Sequence, residues 1–192
     1  MRTATIKRKT KETDIELILN LDGTGKREIA TGVGFFDHML TAFTFHSGLD
    51  LTVSCKGDLE VDDHHTVEDI GLALGQALKE ALGDKMGINR YGTSYVPMDE
   101  ALVRAVIDFS GRPAFVYNVT LNREKLGTLD TQNVQEFFKS VSNEAKMNLH
   151  LEVLYGDNDH HKVEALFKAL GRAVKEAAKQ VSDQLPSTKG AL

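Results

Sequence analysis

The sequence contains one motif twice, half a chain length apart. Residues 63–68 read Asp-His-His-Thr-Val-Glu, and residues 159–164 read Asp-His-His-Lys-Val-Glu. Behind each motif, identical residues recur at the same offset: Leu74 and Leu170, Gly75 and Gly171, Ala77 and Ala173, Lys79 and Lys175, Glu80 and Glu176. Chance does not account for the motif together with the helix behind it. The sequence therefore predicts two halves of similar structure.

Hydrophobic periodicity gives the order of elements in the first half. Residues 15–21 alternate between apolar and polar, which indicates a half-buried strand, and the Asp-Gly-Thr-Gly segment at 22–25 is a hairpin signal. Asp37 is predicted to cap a helix. A strand over 49–55 and a longer helix over about 67–81 follow.

The second half repeats this order. Residues 102–109 and 115–121 are predicted strands around a Gly- and Pro-containing turn. A helix over 134–145, a strand over 149–155 and a helix from about His161 to Val181 complete the half.

The predicted fold class is α+β, built from two tandem duplicated halves. Residues 1–92 form the first structural repeat and residues 93–192 the second. Each is expected to be a small, mostly antiparallel sheet with helices on one face, and together they form one compact catalytic unit. A chain of 192 residues is long enough to bury such a core.

Composition narrows the class of function. The net charge of −5 is spread along the chain without a long basic run, so nucleic acid and anionic membranes are not expected partners. A single cysteine, Cys55, allows no internal disulfide or thiolate zinc cage and fits a reducing compartment, so we expect a cytoplasmic protein. The sequence contains no run of about 18 apolar residues, so no membrane span is predicted. Small-molecule chemistry is favoured.

The duplicated motif has the composition of a metal-ligand set, because imidazole and carboxylate groups both bind transition metals. If each helix begins at its first histidine, residues i and i+4 face the same way, so His64 with Glu68 and His160 with Glu164 can each hold one ion. Adjacent helical residues point about 100° apart, so His65 and His161 are expected to serve a different ion from their neighbours. The motif therefore predicts two ions, each completed by a histidine from the other repeat.

The alternative is that these histidines merely occupy a polar helix start, where the helix dipole favours acidic groups. A single pair would fit that interpretation. Two copies at equivalent helix starts argue against it, because capping requires acids and not paired imidazoles.

Further candidates lie near the equivalent preceding helices. His38 is a candidate ligand, and alignment of the two helices nominates Glu136 as its counterpart, although Glu136 could equally be a surface acid. His46 lies in the same region as His38, and His150 is interpreted as an ordinary sheet histidine.

Arginines in Gly-containing connections often bind anions, and Arg90 and Arg112 both lie in such connections. A phosphate would suit them. The Pro-Ser-Thr-Lys-Gly segment at 186–190 offers two hydroxyls and an ammonium for the same purpose, although an isolated tail of this composition is commonly disordered.

Four segments together resemble the imidazoleglycerol-phosphate dehydratase family, the dehydrating enzymes of histidine biosynthesis. They are Thr-Gly-Val-Gly-Phe-Phe-Asp-His-Met-Leu at 31–40, Asp-Asp-His-His-Thr-Val-Glu-Asp at 62–69, Gly-Asp-Asn-Asp-His-His-Lys-Val-Glu-Ala at 156–165, and the segment at 186–190. The resemblance covers essentially the whole chain. It implies a carbon–oxygen lyase with a fold like domain 2 of ribosomal protein S5.

The resemblance also implies a chemistry. A site with two manganese ions would bind the substrate as imidazolate and convert D-erythro-imidazoleglycerol phosphate to imidazole-acetol phosphate and water. One ion would be held by His38, His65, His160 and Glu164, and the other by His64, Glu68, Glu136 and His161. Many relatives have histidine where Glu136 stands, and a carboxylate can also bind manganese.

The same resemblance nominates Glu12 as the general acid/base and implies a shell of twenty-four copies whose sites are shared between subunits. Phosphate recognition is implied for Arg90, Arg112, Lys168, Ser187 and Lys189. The full set of implied substrate-binding residues is Glu12, His38, His46, His64, His65, Glu68, Arg90, Arg112, His160, Lys168, Ser187, Thr188 and Lys189.

Two other classes stay open on the residues alone. A metal-dependent hydrolase would also use histidine and carboxylate clusters. That class does not explain the duplicated motif, nor the candidate phosphate-binding residues in the turns at Arg90 and Arg112 and in the C-terminal segment at 186–190. A metal-storage shell would not need Glu12.

Overall fold

A computed structural model describes residues 1–192 as ten strands and four helices. The elements in chain order are β1 (Thr3–Lys9), β2 (Thr13–Asn20), β3 (Arg27–Ala30), α1 (Gly34–Ser47), β4 (Asp50–Gly57), α2 (His64–Leu82), β5 (Tyr91–Met98), β6 (Ala101–Asp108), β7 (Ala114–Asn118), β8 (Lys125–Leu126), β9 (Leu129–Asp130), α3 (Thr131–Ala145), β10 (Asn148–Tyr155) and α4 (Asp159–Ala177). No helix is both long and apolar enough to cross a membrane.

The two halves form sheets of the same topology. The first has the order β1-β2-β4-β3 and the second β5-β6-β10-β7. In each sheet the first three strands pair antiparallel and the fourth pairs parallel with its neighbour. The prediction of an α+β fold made of two duplicated, mostly antiparallel halves is confirmed. The division between residues 92 and 93 stays a prediction, and β5 begins at Tyr91.

The helices hold the two halves together through a shared core. Helix α2 packs on the first sheet and against α3 of the second half, while α4 packs on the second sheet and against α1 of the first half. The apolar faces of both halves merge into one cluster of 48 buried residues. Because each half covers part of the other, the core stabilises the pair and not two separate units.

Close helix crossings occur at the duplicated glycines. A Cβ on Gly75 would lie 2.6 Å from the carbonyl oxygen of Val141 in α3, and a Cβ on Gly171 would lie 2.6 Å from that of Phe43 in α1. Only glycine permits backbones to approach this closely. The two crossings hold α2 against α3 and α4 against α1.

Three local predictions are wrong. The segment at 22–25 does not make a hairpin, because β3 passes beyond β2 and pairs parallel with β4. Asp37 does not cap α1, which begins at Gly34; its Oδ1 instead accepts hydrogen bonds from the backbone N–H and the hydroxyl of Thr31. Helix α4 ends at Ala177, short of Val181, because Val181 donates its N–H to the carbonyl of Gly87.

Candidate metal centre

Both paired-histidine motifs lie at helix starts, since α2 begins at His64 and α4 at Asp159, which meets the condition for pairing residues i and i+4. The Asp62 side chain accepts a hydrogen bond from the N–H of His64 at 2.8 Å, and the Asn158 side chain accepts from the N–H groups of His160 and His161 at 2.9 and 3.3 Å. These contacts satisfy backbone donors that a helix start leaves free. They place the first histidine of each motif in the first turn, with its glutamate one turn later.

Three ligand atoms converge where α1 meets the start of α4. The Nε2 atoms of His38 and His160 lie 3.2 and 3.1 Å from the Oε2 atom of Glu164, and ligand atoms from all three residues lie within 4.8 Å of one another. The two imidazoles are half-exposed, whereas Glu164 is buried. The three ligand atoms therefore form a cluster that is open to solvent on the histidine side and has the buried carboxylate beneath it.

Glu164 is held as a carboxylate. Burial opposes its ionisation, but hydrogen bonds from Lys168, His160 and His38 outweigh that effect and hold the pKa of Glu164 below its usual value. The ammonium of Lys168 lies 2.7 Å from Oε1, so Oε2 is the oxygen that faces the histidines. The edge of Phe35 packs against the His160 ring at a centroid distance of 5.0 Å and limits its movement.

A second group lies where α2 meets α3. The Nε2 atom of His64 is 3.6 Å from Glu68, and its Nδ1 atom is 2.9 Å from the side-chain oxygen of Asn133. His64 and Glu136 line the same polar cleft of about 380 Å³. Glu136 also pairs with Lys139 at 3.1 Å.

The two rings of each histidine pair lie nearly perpendicular to each other. The ring planes of His64 and His65 lie at 84°, and those of His160 and His161 at 80°. Each second histidine has its own acidic partners, and the assignment of adjacent histidines to different ions stays a prediction.

His65 lies between two carboxylates from the first half. Its Nδ1 atom is 3.0 Å from Oδ2 of Asp58, and its Nε2 atom is 3.7 Å from Oε1 of Glu12. The hydrogen bond with Asp58 is the main cause that raises the pKa of His65, with the charges of Glu12 and Asp62 adding to it. Glu12 thus lies beside a candidate ligand, and its role as general acid/base stays a prediction.

His161 contacts the turn between β5 and β6. Its Nδ1 atom lies 2.7 Å from Oε2 of Glu100, and its Nε2 atom lies 3.6 Å from Asp99. Backbone hydrogen bonds, foremost from Asn158, together with that from His161, lower the pKa of Glu100 to about 2.

One chain therefore presents two separate ligand groups. The α1/α4 group consists of His38, His160, Glu164 and the neighbouring His161, and the α2/α3 group consists of His64, Glu68, Glu136 and the neighbouring His65. Neither group in one chain brings together four of the predicted ligands of one ion. Which residues bind metal stays a prediction.

The candidate anion-binding residues fall into two places. Arg90 bonds to Asp108 at 2.7 and 3.1 Å and donates to the carbonyl of Pro186 at 2.9 Å, which brings the tail to the β5 start. The Arg112 turn also meets the tail, because a Cβ on Gly111 would lie 2.8 Å from the carbonyl carbon of Leu192. The tail segment at 186–190 folds back, with the hydroxyl of Ser187 bonded to Ala191, and contains Thr188 and Lys189.

Lys168 and His46 lie with the α1/α4 group instead. Lys168 contacts Glu164, and burial together with the charges of Lys168 and Arg172 lowers the pKa of His46. The sequence did not identify Asp58, Glu100 or Asn133, which hold the Nδ1 atoms of His65, His161 and His64. Only Glu100 had a signal in the sequence: it immediately precedes the second strand of its half, as Glu12 does in the first half.

Comparison with known proteins gives one consistent family. The family model described as imidazoleglycerol-phosphate dehydratase matches residues 31–174. The chain is 59% identical over 191 residues to the imidazoleglycerol-phosphate dehydratase of an Exiguobacterium species, covering 99% of this chain and 98% of that protein. It is 53% identical to the protein of the same name from Clostridioides difficile, with both chains fully covered.

Two solved structures share the fold. The imidazoleglycerol-phosphate dehydratase of Staphylococcus aureus superposes with a TM-score of 0.83 at 45% identity, covering 91% of this chain and 97% of that one. The structure of IGPD from Pyrococcus furiosus in complex with (S)-C348 superposes with a TM-score of 0.84 at 38% identity, covering 97% and 100%.

Proposed function

The chain belongs to the imidazoleglycerol-phosphate dehydratase family of hydro-lyases in histidine biosynthesis, and we propose that it converts D-erythro-imidazoleglycerol phosphate to imidazole-acetol phosphate and water at a site with two Mn²⁺ ions. The observation that carries the metal part of the proposal is the convergence of His38, His160 and Glu164 ligand atoms within 4.8 Å. Two imidazoles and a carboxylate suit a first-row divalent ion.

We assign one ion to His38, His65, His160 and Glu164, and the other to His64, Glu68, Glu136 and His161. The contacts within one chain support three ligands of the first set and a pairing of His64 with Glu68 in the second. Glu136 borders the same cleft as His64, which supports a carboxylate ligand at this position.

The positions of His65 and His161 support sites shared between copies. Each lies with acids of its own half and outside the group that it would complete. Suppose that the α1/α4 group of one copy faces the α2/α3 group of another. The copy with the α1/α4 group then supplies His161 to the ion held by His64, Glu68 and Glu136. The copy with the α2/α3 group supplies His65 to the ion held by His38, His160 and Glu164. Both ions are then completed at one interface. Such a contact between unlike surfaces suits a closed assembly of many copies, which we propose to be of twenty-four subunits.

The substrate needs activation because the hydrogen that it loses is not acidified by a carbonyl group. When bound, the ions would stabilise the imidazole ring as imidazolate, whose electrons can expel the side-chain hydroxyl. Glu12 stands beside His65 and is exposed, so it can give a proton to the departing hydroxyl or take one from carbon.

Phosphate recognition is assigned to residues near the tail and on α4. Arg90 holds the tail through Pro186, and Gly111, next to Arg112, approaches Leu192 of the tail, which itself carries Ser187, Thr188 and Lys189. Lys168 and His46 lie beside the α1/α4 group. We also assign substrate contacts to the ligands His38, His64, His65, Glu68 and His160, and we expect the enzyme to act in the cytoplasm.

Turnover by metal-stripped protein, with and without added Mn²⁺, tests the proposal. We expect formation of imidazole-acetol phosphate only with Mn²⁺ and without release of inorganic phosphate. A hydrolase would release phosphate, and a storage shell would bind Mn²⁺ without turnover. No product in either state would overturn the proposal.

A further inference from the structure

Glu12 and Glu100 occupy equivalent positions in the two halves. Glu12 directly precedes β2 and Glu100 directly precedes β6, so each stands at the end of the turn that joins the first two strands of its sheet. Each also contacts the second histidine of its own half, His65 or His161. The duplication therefore places one glutamate at the same structural position in each half.

The two acids contact opposite sides of the imidazole ring. Glu12 lies at the Nε2 side of His65, at 3.7 Å, because Asp58 already occupies the Nδ1 side at 3.0 Å. Glu100 occupies the Nδ1 side of His161 itself, at 2.7 Å. The same position therefore has a different partner atom in each half.

The cause of this difference is a glycine. Asp58 directly follows β4, and the residue that directly follows the equivalent strand β10 is Gly156. Gly156 has a φ of 141°, and a Cβ there would lie 2.6 Å from the Cβ of Ala101. No acid can therefore stand at this point in the second half, and Glu100, the neighbour of Ala101, approaches His161 from the other side.

Glu100 is also fully engaged. Its Oε1 atom accepts hydrogen bonds from the backbone N–H groups of Asp157 and Asn158 at 3.1 and 2.7 Å, while Oε2 faces His161. Asn158 in turn receives the N–H of His161. Glu100 thus joins the loop before α4 and the ring of His161 in one network.

We propose that Glu100 is the positioning residue for His161: its carboxylate accepts the Nδ1 hydrogen, which leaves Nε2, 3.6 Å from the exposed carboxylate of Asp99, unprotonated and available to bind the second ion. Carboxylates that hold the far nitrogen of a ligating histidine fix both its tautomer and its orientation. Asp58 does the same for His65 in the first half. This inference rests on the proposed function, because it takes His161 as a ligand.

The test compares Mn²⁺ binding by metal-stripped wild type, Glu100→Gln and Glu16→Gln, measured by calorimetry and by the electron paramagnetic resonance of free Mn²⁺. Glu16 is an exposed acid of β2 paired only with Lys7, so its variant controls for the loss of one charge. We expect Glu100→Gln to weaken binding by about 10- to 100-fold at one ion of the pair, with the control unchanged. Turnover should recover when free Mn²⁺ is raised by the same factor.

The melting temperature of the metal-free proteins separates positioning from a purely structural role of the Glu100 network. A variant that melts early without metal, and whose turnover Mn²⁺ does not restore, would overturn the inference, and so would wild-type affinity in Glu100→Gln. Asp58→Asn gives a second measurement on His65, where the same shift is expected. If wild type itself neither binds Mn²⁺ nor turns over substrate, the proposed function fails; if wild type does both, an unaffected Glu100→Gln overturns this inference alone.

Discussion

The Oε1 atom of Glu12 lies 3.7 Å from the Nε2 atom of His65, on the side of the ring that Asp58 leaves free. The acid therefore stands beside a proposed ligand without holding its Nδ1 atom. We expect Glu12→Gln to lower kcat by about 10²- to 10⁴-fold, the usual loss when a general acid or base is removed. Mn²⁺ binding and assembly should stay at wild-type values.

Steady-state kinetics, with Mn²⁺ titration and analytical ultracentrifugation, check this prediction. Glu16→Gln serves again as the control. Full turnover in a Glu12→Gln enzyme that retains metal and assembly would show that Glu12 carries no proton.

A mixed assembly tests whether sites are shared. His160→Ala damages the α1/α4 group and His64→Ala damages the α2/α3 group, so each variant alone should be inactive. If one group comes from each of two copies, random mixing of equal amounts restores both intact groups at about one quarter of the sites. Activity after co-refolding with Mn²⁺ measures this fraction. Complete inactivity of the mixture, with normal assembly, would place each site within one chain.

The helix crossings predict a stability effect. Gly75→Ala and Gly171→Ala would each press a methyl group to 2.6 Å from a carbonyl oxygen of the facing helix. Separating the helices to relieve this contact should lower the free energy of unfolding by about 1 to 3 kcal/mol. Gly34→Ala, where no atom lies within 4 Å of the new Cβ, is the control. Denaturant unfolding of the metal-free chains measures the difference, and equal stability of all variants would contradict the close approach.

Cys55 predicts a pH dependence. Burial raises the pKa of its thiol from 9.0 to about 11, so the folded chain keeps the thiol neutral where the unfolded chain ionises it. Its contribution to stability is present below pH 9 and is lost as the pH rises towards 11, by about 3 kcal/mol in all. Cys55→Ser, which does not titrate there, should lack this part of the slope. Parallel pH profiles of unfolding for the two proteins would contradict the prediction.

Much of the fold followed from the sequence because the buried positions of its central elements are large and apolar. In α2 and α4 the spacing of Val67, Ile70 and Leu74, and of their counterparts, predicts a helix with one buried face, and the structure buries these residues. Strands β2, β4, β6 and β10 show clear alternation for the same reason.

The missed strands lack that signal. The inward residues of β5 are Gly92, Ser94 and Val96, because α4 passes so close that a Cβ on Gly92 would lie 2.0 Å from the carbonyl oxygen of Ala173. The inward residues of β1 include only Ala4 and Ile6. The orienting acids were missed for another reason: Glu100 stands 61 residues from His161, and Asp58, 7 residues before His65, lies at the end of a strand with no periodic pattern linking it to the helix start.

The crossings at Gly75 and Gly171 relate the two halves reciprocally, since α2 of the first half meets α3 of the second and α4 of the second meets α1 of the first. Reciprocal contact of this kind is the geometry of a two-fold dimer. Within one chain the two halves therefore act as the two members of a pseudo-symmetric pair. Because the pairing is within one chain, equivalent positions can hold different partner atoms, as Glu12 does at Nε2 of His65 and Glu100 at Nδ1 of His161.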